Sequence, residues 1–170
     1  MLPVILDVRS MDKDMKNNDN HIELINHACD LFDSDKKNQA LERFKEAQKL
    51  APKCPSAIYN LANCYYHLKE EKKAIILLEG LLKTENKELR MGCPDETESP
   101  RQYKLDALFV LFRAKLFYTQ SWNKAYPFAE QHLNTRCRGL KSSFKLKEVK
   151  YWINYYKNIF NAKSKLRTKK

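Results

Sequence analysis

One pattern of small and large side chains occurs twice in this chain, 34 residues apart. The first copy consists of Ala28, Leu31, Ala40, Phe44 and Ala47, and Pro52 closes it. The second copy consists of Ala62, Tyr65, Ala74, Leu78 and Leu81, with Asn86 at the position of the proline. A period of this length is typical of helical hairpins, which bury their apolar faces only by stacking on one another. The pattern therefore predicts an all-α chain of stacked hairpins.

The repeat resembles the tetratricopeptide repeat. That family has large, large, small and large residues at positions 4, 7, 8 and 11 of its first helix. The chain supplies Leu24, His27, Ala28 and Leu31, and then Ile58, Leu61, Ala62 and Tyr65. The second helix of the family has small, aromatic and small residues before a turn proline, which Ala40, Phe44, Ala47 and Pro52 match. Small residues let helix axes approach to about 8–10 Å. The resemblance covers residues 21–86 and implies an α-α superhelix, or solenoid. His27 departs from it, and we interpret this side chain as a tolerated core residue.

A third copy is altered. It begins near Asp106, 17 residues after the place near Leu89 that regular spacing gives. Aligned on Ala125, it has Arg113 where a small residue is expected, and Ala129 and His132 replace the later aromatic and small residues. Pro127 falls early in the second helix, where it would kink the helix unless it lies in the first turn. We predict a third hairpin, preceded by an inserted, exposed loop at 86–101 that is rich in proline and acidic residues.

These patterns divide the chain into a lead, a repeat domain, a last helix and a tail at 162–170. Residues 1–20 are expected to be a flexible lead. Residues 21–135 form the repeat domain, with helices predicted at 21–33, 36–50, 55–68, 71–84, 102–118 and 121–134, and Pro55 in the first turn of its helix. A last helix at 143–161 carries an apolar stripe of Val149, Trp152, Ile153, Tyr156, Ile159 and Phe160. We interpret it as a helix that caps the open end of the solenoid. The alternative is a basic amphipathic helix that meets an acidic partner or a membrane surface.

The net charge of +11 is concentrated at one end. Residues 136–170 contain 12 lysines and arginines and one acid, whereas residues 1–135 contain 20 of each sign. Blocks of like charge are often interaction tails. The candidate basic residues of this end are Lys145, Lys150, Lys157, Lys163, Lys165, Arg167, Lys169 and Lys170. Residues 162–170 form a basic tail that could also serve as a nuclear-import signal.

The sequence gives little support for catalysis or for a cofactor. Five cysteines without C-x-x-C spacing favour reduced thiols and hence a cytoplasmic or nuclear protein. Cys29 and Cys64 are interpreted as small packing residues. The four histidines are scattered, and there is no glycine-rich phosphate loop or zinc-binding spacing. No apolar run is long enough for a transmembrane helix. We therefore predict a non-enzyme without cofactor or metal.

In the resembled family, the first helices of the hairpins line a concave groove. Here this implies a mostly aromatic partner-binding groove formed by Ile25, Phe32, Tyr59, Asn63, Tyr66, His67, Val110, Phe117 and Tyr118. Family members that hold acidic chaperone C-termini use Lys and Arg at several of these places, and those are missing here. An exposed aromatic groove needs a cover, which is either a partner segment or the chain's own stripe at 149–160.

Three functions are compatible with these features. The first is a non-catalytic adaptor, scaffold or assembly factor that binds a protein segment in the groove. The second is binding of nucleic acid or an acidic surface through the basic end, where lysines and aromatics are interleaved in Lys150-Tyr151-Trp152 and Tyr155-Tyr156-Lys157. The third is a small chaperone of similar architecture. A salt titration distinguishes the first two functions, because binding through phosphate contacts weakens steeply as the salt concentration rises.

Overall fold

The computed structural model describes residues 8–94, 98–136 and 140–167, and within these ranges the side chains from residue 21 to residue 162. This part of the chain contains eight helices and no strand. The helices are α1 (Val8–Asp33), α2 (Lys37–Leu50), α3 (Pro55–His67), α4 (Glu71–Lys83), α5 (Asn86–Gly92), α6 (Pro100–Thr119), α7 (Trp122–Arg136) and α8 (Leu146–Arg167). Helices α1 and α2, α3 and α4, and α6 and α7 pack as three hairpins, and α3 packs on α1 and α6. The all-α, repeat-type superhelix is thereby confirmed.

The turns inside the three hairpins fix the register of the repeat. Asp35, Lys69 and Gln120 each have a positive φ, of 59°, 65° and 50°, and each lies between the two helices of its hairpin. In the first two turns the following residue, Lys36 or Glu70, donates its N–H to the carbonyl five residues earlier. This is the left-handed termination that satisfies the last carbonyls of a helix. The third turn comes 51 residues after the second, which equals one period plus the 17-residue insertion.

Small residues lie at the closest helix contacts, as the pattern predicted. The alanines at 28, 40, 47, 62 and 74 are fully buried, and so is Ala125 of the third hairpin. Large side chains such as Phe44 and Leu78 fill the space beside them. Two adjoining clusters of apolar side chains thus run from α1 through α4 to α6. The stacking supplies each hairpin with the apolar cover that it cannot form alone.

Helix α8 packs on the third hairpin. Val149, Ile153 and Tyr156 are buried against Phe109 and Phe112 of α6, in a cluster that also includes Leu116, Ala125 and Ala129. These three residues of the stripe predicted from the sequence therefore pack on the third hairpin. Tyr151 and Tyr155, on the other side of α8, are exposed.

The segment before α8 is tied to the start of the third repeat. The Asp106 carboxylate is buried and accepts hydrogen bonds from the Ser143 hydroxyl at 2.6 Å and from its backbone N–H at 3.1 Å. The Ser142 hydroxyl donates to the same carboxylate. Hydrogen bonds to a charged acceptor are among the stronger ones in a protein, so these contacts help to fix the entry into α8.

Several boundaries differ from the predictions. Residues 8–20 continue α1 instead of forming a loose lead, because no glycine or proline interrupts 8–33 and the packed part of the helix extends backwards without a new nucleation step. The insertion is not wholly a loop, since it contains α5, anchored by the buried Leu89. Pro127 lies in the second turn of α7, and the helix continues to Arg136. Helix α3 begins at Pro55, as predicted.

A buried histidine on α7 makes the stability of the fold pH-dependent. His132 is fully buried, and its Nδ1–H donates to the Leu105 carbonyl at 2.8 Å. Burial lowers the pKa of His132 below its ordinary 6.5, although the Leu105 hydrogen bond and Asp106 oppose this. The folded state then binds fewer protons than the unfolded state, so stability is fully present above pH 6.5 and decreases below it.

We expect the free energy of unfolding to decrease through this group as the pH falls from 7.5 to 5.5. His132→Asn should have a smaller slope, because an amide can still donate to Leu105 but does not titrate. Urea unfolding of both proteins at pH 7.5, 6.5 and 5.5 measures the difference. Equal slopes would contradict the assignment of this pH dependence to His132.

Candidate functional site

A row of aromatic side chains crosses the three hairpins at one repeat position. Phe32, Tyr66 and Phe117 all occupy position 12 of their hairpins, near the end of α1, α3 and α6. His67 bridges the first two rings, with its centroid 5.2 Å from Phe32 and 5.3 Å from Tyr66. Phe117 lies 6.4 Å from Tyr66 and 5.6 Å from Tyr156 of α8. These five residues are called the aromatic row below.

The residues predicted to line the groove differ widely in exposure. Phe117 and Tyr118 are 40% and 54% exposed, and His67 is also exposed. Phe32 and Asn63 are half-buried. The other predicted groove residues, Ile25, Tyr59, Tyr66 and Val110, are buried within the chain. Tyr59, for example, lies under Tyr103, with the ring centroids 5.9 Å apart. The accessible part of the predicted groove is therefore its end around His67, Phe117 and Tyr118.

Arg113 occupies the position at which the first two repeats have a fully buried alanine. Its guanidinium carbon is 4.9 Å from the Tyr66 ring centroid and 5.7 Å from that of Trp152 in α8. A cation between two aromatic faces is a favourable arrangement. The buried Nε of Arg113 has no hydrogen-bond partner among the described residues. Helix α8 supplies one wall of this arrangement, so the longer side chain at the altered repeat position contacts the capping helix.

Cations surround the exposed end of the aromatic row. The Nζ atom of Lys69 lies 6.0 Å from the Phe117 ring centroid. The pKa of His67 is lowered first by the partial burial of its ring and then by Arg113, Lys37 and Lys69. The imidazole is consequently uncharged at neutral pH. Burial also raises the pKa of Tyr66, so its hydroxyl stays protonated. The surface thus combines neutral aromatic rings with positive charge at their edge, which suits apolar and acidic groups together.

The basic residues at the C-terminal end lie partly within the described region. Lys145 precedes α8, Lys150 and Lys157 belong to it, and all three side chains are exposed. Tyr151 and Tyr155 lie beside these lysines, 60% and 45% exposed, with stacked rings 6.2 Å apart. The side chains of Lys163, Lys165 and Arg167 are outside the described residues, as are Lys169 and Lys170 altogether.

Two histidines lie where the sequence did not place them. His27 is exposed, so its interpretation as a core residue is wrong; α1 opens the stack, and no earlier described hairpin covers this side of it. His21 is fully buried instead. Its Nε2 lies 3.2 Å from the Cys93 sulfur, and Cys93 lies 2.7 Å from the Cys54 sulfur. Sequence reasoning missed this cluster because its members are far apart along the chain; the one local signal is that each cysteine directly precedes a proline.

Comparison with known families gives one match. The family model of the tetratricopeptide repeat matches residues 31–91, which extend from the end of α1 through α5. The curated proteins gave no match to the chain. Within the described ranges, no helix is long and apolar enough to cross a membrane.

Proposed function

Through residues 31–91 the chain belongs to the tetratricopeptide repeat family, and from this premise we propose that it is a non-catalytic adaptor that binds a protein segment along its aromatic row. Repeats of this family generally mediate protein–protein interactions, and their helical fold is typically non-catalytic. The single observation that carries the proposal is the exposed pair Phe117 and Tyr118, of which Phe117 belongs to a continuous line of rings between Tyr66 and Tyr156. Exposed aromatic side chains backed by a rigid packed surface are typical anchors of a binding site.

The charges around the row indicate what kind of segment fits. The exposed Lys69 lies at its edge, with its Nζ 6.0 Å from the Phe117 ring centroid. A segment with an apolar side chain for the Phe117–Tyr118 surface and a carboxylate for Lys69 would complement both features. Because the contacts of this segment with the aromatic row would be mainly apolar, we expect its affinity to depend only weakly on the salt concentration.

The experiment is selection of peptides from a displayed random library on the unaltered protein, with no step that favours any part of its surface. The affinity of a selected synthetic peptide is then measured by fluorescence anisotropy. Each single substitution should weaken binding about tenfold or more, as expected for anchor residues. Ile76→Ser is the matched control, because Ile76 is 62% exposed on α4, away from the row, and its loss should change the affinity less than twofold.

A second candidate function rests on the exposed face of α8, where Tyr151 and Tyr155 lie among lysines. This arrangement suits phosphate contact combined with base stacking. The same anisotropy assay with a single-stranded oligonucleotide separates the two functions. Binding through this face should fall steeply between about 50 and 200 mM salt and be lost in Tyr151→Ser, Tyr155→Ser. If only this binding is found, and no peptide depends on Phe117 or Tyr118, the adaptor proposal is wrong.

A further inference from the structure

Three elements bring one imidazole and two thiols together in the interior. His21 comes from α1, Cys54 is the residue that precedes the first turn of α3, and Cys93 follows α5. All three are buried, with at most 1% of any side chain exposed. The donor atoms lie within 4.8 Å of one another. Nothing in the repeat pattern requires this meeting, because Cys93 belongs to the insertion between the second and third hairpins.

A glycine beside Cys93 allows the backbone to bring the two cysteines together. A side-chain carbon added at Gly92 would lie 2.4 Å from Cβ of Lys53, which is closer than two carbons can approach. Only glycine at position 92 therefore lets the end of α5 lie against the residue before Cys54. Gly92 is in this sense a close-approach glycine, and the approach that it permits is the one between Cys54 and Cys93.

The surroundings of the Cys54 sulfur favour its reactive thiolate form. It lies 2.7 Å from the Cys93 sulfur and 3.0 Å from the Ser56 hydroxyl, and it sits at the N-terminus of α3. The pKa of Cys54 is lowered, and the contact with Cys93 is the largest cause. The Ser56 hydroxyl and the Ala57 N–H lower it further, whereas burial raises it. A lowered pKa increases the thiolate fraction, and the thiolate is the reactive form.

The separation of the two sulfurs is nearer to that of a disulfide than to that of a zinc site. Two thiolates on one tetrahedral zinc ion lie about 3.8 Å apart, given Zn–S bonds of about 2.3 Å. The 2.7 Å separation here is about 1 Å shorter than that. Only three donors meet among the described residues, whereas a closed structural zinc site has four. The sulfur–sulfur bond of a disulfide is about 2.05 Å long. The movement from 2.7 Å to that length is smaller than the movement from 2.7 Å to the separation of two zinc-bound thiolates.

We propose that Cys54 and Cys93 are a redox-active pair that forms an intramolecular disulfide when it meets a peroxide. The Cys54 thiolate attacks one oxygen of hydrogen peroxide: an S–O bond forms, the O–O bond breaks, hydroxide leaves, and Cys54 becomes a sulfenic acid. The Cys93 thiol gives its proton to His21 Nε2 and attacks the Cys54 sulfur, which forms the S–S bond and expels hydroxide. Both hydroxides take up the protons released, so two thiols and one peroxide give one disulfide and two water molecules.

The bond would join the end of α5 to the turn before α3 and close a loop around the whole second hairpin. Such a cross-link restricts the unfolded chain, and for a loop of about 40 residues it raises the melting temperature of a protein of this size by about 5–15 °C. Because both sulfurs are buried, the reaction requires local opening around α5, a seven-residue helix. We therefore expect slow oxidation.

The experiment treats the full-length reduced protein with hydrogen peroxide and follows it by intact mass and by peptide mapping without reduction. The expected result is a loss of two hydrogen atoms, a linked pair of peptides that contain residues 54 and 93, and a higher melting temperature that a thiol reductant reverses. Cys54→Ser and Cys93→Ser should each abolish the linkage and the rise in melting temperature. Cys64→Ser, also a buried thiol, is the matched control and should keep both.

Three outcomes would overturn the proposal. One is a disulfide that uses Cys29, Cys64 or Cys137 in place of this pair. Another is no linkage even after exposure to peroxide for many times the period that oxidises a dithiol reference peptide. The third is that the reduced protein binds one zinc ion per chain, measured by elemental analysis, and loses it in Cys54→Ser and Cys93→Ser. None of these outcomes bears on peptide binding, so the proposal stands or falls separately from the adaptor function.

Discussion

Replacing Phe112 with alanine is expected to lower the free energy of unfolding by about 3–5 kcal/mol. Its ring is fully buried at the junction of the third hairpin with α8. It stacks on Phe109 and meets Trp122 and Tyr156 edge-on, with centroids 5.9–6.2 Å apart. Removing the ring leaves a cavity bordered by three rigid aromatic groups, which can collapse only partly. The cost therefore includes both the lost burial and the cavity.

Phe117 on the same helix provides the control. Phe117→Ala removes an identical side chain that is 40% exposed, so we expect a smaller loss of about 1–2 kcal/mol. Urea unfolding followed by far-ultraviolet circular dichroism measures both variants. Similar losses for the two would contradict the placement of Phe112 in the core and of Phe117 at the surface.

Removing residues 146–170 is expected to destabilise the third hairpin and to cause self-association. The deletion uncovers Phe109 and Phe112 by removing Val149, Ile153 and Tyr156, all of which are buried against them. Each such side chain contributes about 1.5–3 kcal/mol on burial, so the sum is large beside the total stability of a domain. We expect the melting temperature to fall by about 10 °C or more, with binding of a hydrophobic dye and larger species in light scattering.

Removal of residues 163–170 alone is the control for that experiment. It deletes five of the basic residues but leaves the buried stripe of α8 intact. This shorter truncation should keep the melting temperature within about 2 °C and remain monodisperse. A stable, non-associating 146–170 deletion would show that α8 is not a structural cap. If the 163–170 deletion also self-associates, the loss of positive charge would explain the self-association, and the loss of the buried stripe would not.

The repeat register could be predicted because small side chains at fixed intervals mark the places where two helices approach closely. Ala28 and Ala62 mark close helix contacts, and the same spacing places Ala125 in the third hairpin despite the insertion. The left-handed residues Asp35, Lys69 and Gln120 then occur at equivalent places. The stripe of α8 could also be predicted, since a helix with buried Val149, Ile153 and Tyr156 needs an apolar partner.

The details of the candidate site depend on contacts that periodicity does not encode. Tyr59 and Phe117 look equivalent as aromatic residues of first helices, yet Tyr59 is buried by α6 and Phe117 is exposed. Arg113 breaks the pattern, and only the position of Trp152 on α8 gives its guanidinium a second aromatic face. The meeting of Cys54 and Cys93 depends on the course of the insertion, which has no repeat counterpart.

Site-specific photo-crosslinking tests the adaptor proposal most directly. A benzophenone amino acid is placed at position 118, beside the aromatic row, or at position 76, on an exposed part of α4. Each protein is irradiated with the selected peptide at a concentration near its dissociation constant. We predict a covalent adduct from position 118 and little or none from position 76. Equal adducts from both positions, or an adduct from position 76 alone, would contradict binding along the aromatic row.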